Sequence, residues 1–200
     1  MWGGRVNRPL AYALAGAWER ELGHRPEVVH DDACVMVVYP AADRVADPLA
    51  LVPPGRVSEL LRATLEDTGF FGARFREAAG RALLLPRGLP GRRTPLWLNR
   101  QRAKELRGAV TRWSDFPLAL EAWRSCLDDA FEMEALEERL EEVRDGEIEV
   151  HQVHTDRPSP FSADAVWRRT NALMYEDDRS GSRGGRSEER RVGKECATGC

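Results

Sequence analysis

Two opposed blocks of charge sit end to end in the middle of this chain, and they limit how it can fold. Between Gly69 and Arg112 there are eleven basic residues and two acids, Glu77 and Glu105, a net of +9. Between Asp115 and Glu149 thirteen acids stand against Arg124, Arg139 and Arg144, a net of −10. The whole-chain charge of −3 hides this segregation. Both blocks also carry apolar residues at helical spacing. The expected solution is a set of amphipathic helices that share an apolar core and leave the charge outside.

Composition narrows the class further. Apolar residues make up 42% of the 200 residues, enough for a core, which excludes wholesale disorder. No apolar run approaches the ~18 residues of a membrane span. The start, Met-Trp-Gly-Gly-Arg, lacks a signal-peptide stretch. The four cysteines, Cys34, Cys126, Cys196 and Cys200, are too scattered for a disulfide framework. A reducing, cytoplasmic compartment without membrane contact is the expectation.

The last residues read differently. Arg179–Arg186 (RSGSRGGR) contains no apolar residue. Residues 186–196, RSEERRVGKEC, resemble a conceptual translation of a common short-read sequencing adapter. Residues 179–200 are therefore expected to be an artefactual, disordered tail and are set apart from the fold. Without them the chain holds 24 basic and 30 acidic residues. Trp2–Val6 reads as a strand end entering a turn with nothing upstream to pair with, as in an internal piece of a longer protein.

The remaining pattern predicts an α+β fold: a mainly helical bundle, a small N-terminal β-containing module and a late returning strand. Residues 1–55 form the expected truncated β module and 56–178 the helical domain. Pro9–Leu22 reads as a helix with Pro9 at its first position. Glu27–His30 is extended, and Ala33–Tyr39 is β-branched and nearly continuous, so a buried strand is expected. Val57–Glu66 is a helix with Leu60, Leu61 and Leu65 inward. Thr68 caps a helix over Phe70–Leu85, with Phe71, Phe75, Ala78, Ala79 and Ala82 at helical spacing. Thr94-Pro95 starts a helix to about Trp113, Pro117 another to Phe131, and Glu134–Arg144 a third. Ile148–His154 (IEVHQVH) alternates like a half-exposed strand, and Ser159-Pro160 opens a last helix to Tyr175.

The helix after Pro95 carries the most informative chemistry. Leu96, Ala103, Leu106, Val110 and Trp113 make its expected buried stripe. Trp97, Arg100, Lys104 and Arg107 form a neighbouring row at 3/4 spacing, and Arg93 precedes it. Cations for phosphates beside a flat ring for a base are what a nucleic-acid groove uses. Stacking on such a ring is worth ~1–3 kcal/mol per base. The competing reading makes Trp97 a core or boundary residue and pairs the arginines with the acidic block, at ~0–1 kcal/mol per exposed pair.

Other candidates are weaker. His151 and His154 point to opposite sides of the expected strand. His30-Asp31-Asp32 reads as a turn, and Glu137, Glu138, Glu141 and Glu142 as a solvated helix face. Cys34 and Cys126 read as core residues. Residues 1–178 contain no GxxxxGK[ST], GxSxG, HExxH or paired CxxC, so no active site is expected in this chain.

Three stretches are distinctive: Phe70–Glu77 (FFGARFRE), Ala82–Arg87 (ALLLPR) and Arg92–Lys104 (RRTPLWLNRQRAK). Gly3–Pro9 (GGRVNRP), Pro158–Phe161 and Met174–Asp177 accompany them in order. Together they resemble the C-terminal, DEAD/H-associated region of large-helicase-related (Lhr-type) helicases, across roughly residues 1–178. The form is most similar to the Lhr-like helicases associated with DNA ligase. Gly88-Leu89-Pro90-Gly91 departs from the family, whose members tend to be more basic there, which puts a backbone-contact role for that turn in doubt.

The resemblance implies a superfamily 2, ATP-dependent, 3′-to-5′ translocase on single-stranded DNA as the parent protein, acting in DNA unwinding and repair. ATP and Mg would belong to RecA-like domains that this chain does not carry, followed by a winged helix. No family catalytic residue maps onto these positions. The expected partners are single-stranded DNA, with an RNA–DNA hybrid as a further candidate, and the RecA-like and winged-helix domains of the same polypeptide. The expected role is an accessory domain that grips the strand next to the motor through Arg93, Trp97, Arg100, Lys104 and Arg107. The alternative is a structural bridge that packs on the motor and winged helix without touching nucleic acid.

Overall fold

In the computed structural model, residues 2–40, 43, 45, 47–85, 95–110, 112, 113, 115–151, 153, 157, 159–171 and 174 are described. Arg93, the expected Thr94 cap, the Gly88–Gly91 turn, His154 and the tail from 179 lie outside them. The described chain falls into two units, residues 1–153 and residues 154–200.

The first unit begins with helix α1, Gly4–Leu22. It starts earlier than the strand end expected over Trp2–Val6, because the Gly3 carbonyl already accepts the Val6 and Asn7 amides at 3.1 and 2.8 Å. Pro9 consequently lies inside the helix rather than at its first position. A proline there leaves the carbonyl four residues back without a helical donor. The Arg5 carbonyl is compensated from outside, by the Glu132 amide at 3.1 Å. Gly23, at φ 76°, closes the helix in the left-handed conformation that glycine adopts without strain.

A hairpin follows: β1, Glu27–His30, pairs antiparallel with β2, Val35–Val38, in the register Glu27 opposite Val38 and His30 opposite Val35. Its connection confirms the turn reading of Asp31, whose Oδ1 accepts the Ala33 and Cys34 amides at 2.7 and 2.8 Å. Both strands are largely half-buried. The expectation of a fully buried β2 fails because the sheet has two strands, and α1 packs against them from one side.

Helix α2, Val57–Thr64, runs into a tight turn at Leu65–Asp67, and α3, Gly69–Arg81, starts after it. Leu60, Leu61 and Leu65 are buried as expected. Gly16 permits α1 to cross α2 closely, since a Cβ there would collide with Thr64 Oγ1 and sit 3.2 Å from the Leu60 carbonyl. Thr68 caps α3, its hydroxyl accepting the Phe71 amide at 3.2 Å. Phe71, Phe75, Ala78 and Ala79 are buried. The helix ends at Arg81 rather than Leu85: Leu83 turns left-handed at φ 59°, and the Leu84 amide closes on the Ala79 carbonyl at 3.0 Å. Ala82 is therefore exposed rather than inward.

Helix α4 spans Leu96–Val110 and α5 Pro117–Arg124. The chain then widens into a π-helical turn, Ser125–Ala130, before α6, Met133–Arg144. One apolar cluster joins α1, α2 and α6 around Leu10, Leu14, Val57, Leu61, Leu136 and Leu140. A second joins α3, α4 and α5 around Phe71, Phe75, Val110, Leu118, Ala122 and Phe131.

The late strand expected over Ile148–His154 is not formed in the described part of that stretch. Gly146, at φ 79°, turns the chain back, and the Ile148 amide is committed to the Glu142 carbonyl at the end of α6 (3.0 Å). Val150 and Val153 stay exposed, so the alternation buries no face. In the second unit, residues 163–171 form helix α7, within the span expected from Ser159-Pro160. Among the described residues no helix is long and apolar enough to cross a membrane.

Candidate nucleic-acid interface

Helices α3 and α4 pack side by side, and a cleft of about 570 Å³ opens between them. The sequence of α3 explains its floor. Gly69, Gly72, Ala73 and Arg76 recur at helical spacing, so one face carries almost no side-chain bulk until Arg76. A Cβ added at Gly69 or Gly72 would meet nothing within 4 Å. The opposite wall is Arg100, Ala103, Lys104 and Arg107 of α4. Asp67 and Thr68 complete the lining at the start of α3.

The structure therefore brings three of the five sequence candidates together, Arg100, Lys104 and Arg107. Trp97 stands one turn before Arg100 on the same helix, 65% exposed, and is not part of the cleft lining. It is neither a core nor a boundary residue. Two members of the expected buried stripe also fail: Leu96 and Trp113 are exposed, while Ala103 and Val110 are buried. The helix stops at Val110, so Trp113 is carried off its axis, and Leu96 lies in the first turn at 71% exposure.

Arg76 lines the same cleft and was not among the sequence candidates; the signal that could have pointed to it is the small-residue row ahead of it on α3, which leaves that face low.

The four cations are not equivalent. Arg107 donates to the Glu66 carbonyl and so ties α4 to the α2–α3 corner. The Glu66 carboxylate holds the same corner to α5 by accepting from Trp123 Nε1 at 2.8 Å. Among the described residues no ion pair reaches Arg76, Arg100 or Lys104. Among the described residues, Arg81 of the basic block pairs with Glu121 of the acidic one, at 3.5 Å. Like charges gathered around one cleft repel each other, and an anion placed between them relieves that repulsion.

A second basic feature lies on another flank of α3. Phe70 is half-buried and stacks on Phe131, with ring centroids 5.4 Å apart. Two guanidinium groups cover its ring: Arg8 of α1 at 4.9 Å and Arg74 at 5.4 Å. Tyr12 adjoins the cluster; burial pushes its hydroxyl pKa up, and the Arg8 charge pulls it partly back.

The remaining candidates resolve simply. Cys126 is buried, and that burial pushes its thiol up to about 11, while Cys34 is half-buried. Among the described residues no group of three or more His, Cys, Asp or Glu side chains could hold a metal ion.

Residues 1–162 match the DEAD/H-associated family. The Lhr helicase/uracil glycosylase of Escherichia coli is 36% identical over 179 residues, 88% of this chain and 12% of that protein. The ATP-dependent helicase Lhr-Core of Methanothermobacter thermautotrophicus is 34% identical over 62% of this chain and 15% of its own length. The solved structure of Mycobacterium smegmatis helicase Lhr bound to ssDNA and AMP-PNP superposes with a TM-score of 0.70 at 36% identity. It covers 80% of this chain, which in turn covers 21% of it. The chain thus spans about an eighth to a fifth of the length of these relatives.

Proposed function

This chain belongs to the DEAD/H-associated family of Lhr-type helicases, and from that membership we propose that it is the accessory domain of an ATP-dependent, 3′-to-5′ DNA helicase that unwinds DNA in repair. Its part is to grip the single strand beside the motor. The observation that carries this reading is the α3–α4 cleft, where Arg76, Arg100 and Lys104 face one space without ion pairs over a floor of glycine and alanine. Phosphate contacts hold a strand without regard to sequence, which suits a translocating protein. A motor that opens and closes gains net displacement only if a second element holds the strand meanwhile. Trp97, exposed at the head of the same row, offers a ring on which a base leaving the cleft can stack.

ATP and Mg belong to the rest of the polypeptide in this reading. Among the described residues β1 and β2 are joined by a tight hairpin, not by a glycine-rich loop leading from a strand into a helix. The chain's own contribution is to bind and orient the strand.

The test is R76A/R100A/K104A in the full-length protein, with labelled oligothymidylate titrated across a salt series. Arg107 is left in place because it anchors α4. Each phosphate contact on a single strand contributes about 0.7 to the salt slope. The triple variant should flatten the slope by about 2 and weaken binding about 100-fold at 0.1 M salt. An unchanged slope would remove the grip.

The bridge reading has one observation in its favour. Leu83 and Leu84 after α3, and Leu96 and Trp97 at the head of α4, are all more than half exposed. If these side chains dock on the motor or winged helix, the triple variant keeps its strand affinity, and substitutions at Leu83 and Leu84 impair unwinding instead.

A further inference from the structure

The arginine–aromatic cluster on the flank of α3 has no counterpart in the cleft. Phe70 already packs through Phe131 and Tyr12. The two guanidinium groups add like charge to its outer side. Arg74 pairs with Glu77 at 3.4 Å. Arg8, half-buried on α1, makes no ion pair among the described residues. A guanidinium drawn to a ring by cation–π attraction keeps N–H groups with which it can reach a phosphate.

The placement matters as much as the chemistry. On α3, Phe70, Arg74 and Glu77 share one face, while Gly69, Gly72, Ala73 and Arg76 share another. The two faces are separated by roughly a third of a turn around the helix. A strand seated in the cleft therefore reaches the Arg8–Phe70–Arg74 surface by passing over α3, whose width is about 10–12 Å.

We propose that Arg8, Phe70 and Arg74 form a second contact for the same single strand, with the two guanidinium groups gathered at the Phe70 ring on its phosphates. This rests on the reading of the α3–α4 cleft as the strand's seat. It assigns α3 two contact faces, so that the strand crosses the helix instead of running along one groove. The contact is sequence-independent, since neither group faces a base edge through a fixed donor–acceptor pattern.

The test is R8A in the full-length protein, again with labelled oligothymidylate, over a series of decreasing lengths. With long strands R8A should flatten the salt slope by about 0.7 and weaken binding about five-fold at 0.1 M salt. The loss should multiply with that of R76A/R100A/K104A. It should vanish for strands too short to leave the cleft. R8K, which keeps the charge but loses the flat plane, should restore the slope while leaving part of the affinity loss. An R8A protein with the wild-type melting temperature, slope and affinity for long strands overturns the second contact. If R8A is silent while the cleft variant binds weakly, the second contact alone fails. If the cleft variant is silent as well, the seat on which it depends fails too. An equal loss for short and long strands also overturns it, because it places Arg8 in a general effect on the fold.

Discussion

Replacing Gly72 by leucine should raise stability and lower strand binding at once. Gly72 lies in the first turns of α3, and open space surrounds the position of its missing Cβ. Glycine is about 0.8–1.0 kcal/mol worse than alanine inside a helix, and leucine is close to alanine. The substitution should therefore stabilise the fold by about 0.7 kcal/mol, or about 2 °C in melting temperature for a domain of this size. A helical leucine leans back over the turn before it. At position 72 that direction leads over Gly69 and Thr68, which line the cleft. The side chain would hold the strand off the floor and away from Arg76. If two phosphates are no longer held, the salt slope should flatten by about 1.4 and affinity at 0.1 M salt should fall about 25-fold. Fluorescence anisotropy with labelled oligothymidylate between about 50 and 200 mM salt, beside thermal unfolding, reads both effects. A G72L protein that melts higher yet binds with unchanged affinity and slope would show that the strand does not use this cleft.

Three further outcomes follow from the packing. G16A should destabilise the fold by about 1–3 kcal/mol in thermal or urea unfolding, because its methyl would press on Thr64 and on the Leu60 carbonyl, which is backbone and cannot move aside. T68A should cost about 1 kcal/mol by leaving the Phe71 amide without its cap, and native hydrogen exchange should report the loss in the first turn of α3. The Cys126 thiol, held up to about 11, should resist alkylation in the folded protein and react once urea unfolds it. Its folded pKa lies above the unfolded value, so the native state retains a proton that the unfolded state releases. Its contribution to stability should decline as pH rises from about 9 to about 11, readable as a falling urea midpoint in that window.

The helices were legible because their apolar spacing is long and regular. Leu60, Leu61 and Leu65, and then Phe71, Phe75, Ala78 and Ala79, are buried where the periodicity puts them. Their ends were less legible because backbone bonding decides them. Pro9 reads as a helix start, but the Glu132 amide, more than a hundred residues away, compensates the Arg5 carbonyl and lets α1 begin earlier. Leu83 does not announce a left-handed residue, so α3 reads too long. The IEVHQVH alternation meets the local requirement for a strand, but its valines stay exposed and the Ile148 amide is drawn to the Glu142 carbonyl instead. At the site, Arg100, Lys104 and Arg107 were legible as a row on one helix. Arg76 was not, because its relation to them exists only once α3 lies beside α4.

The charge segregation and the cleft have one physical origin. If ion pairs held α3, α4 and α5 together, the basic block would be neutralised by the acidic one, and no cation would remain for a phosphate. The cluster of Phe71, Phe75, Val110, Leu118, Ala122 and Phe131 supplies that cohesion through apolar burial instead. Between the two blocks the described residues show a single ion pair, Arg81–Glu121, at an exposed position where such pairs contribute little. The arginines of the acidic block pair within it, Arg139 with Glu138 and Glu142, Arg144 with Asp145 and Arg124 with Glu121, while Glu132 pairs with Arg5 of α1. Packing that does not depend on charge leaves Arg76, Arg100 and Lys104 uncompensated in the free protein. Their mutual repulsion is relieved when a polyanion enters, so the grip should weaken as salt rises while the stability of the fold should not. Thermal unfolding and strand binding followed across one salt series would separate the two. A melting temperature that falls with salt in step with affinity would mean that the same charges serve both, contrary to this arrangement.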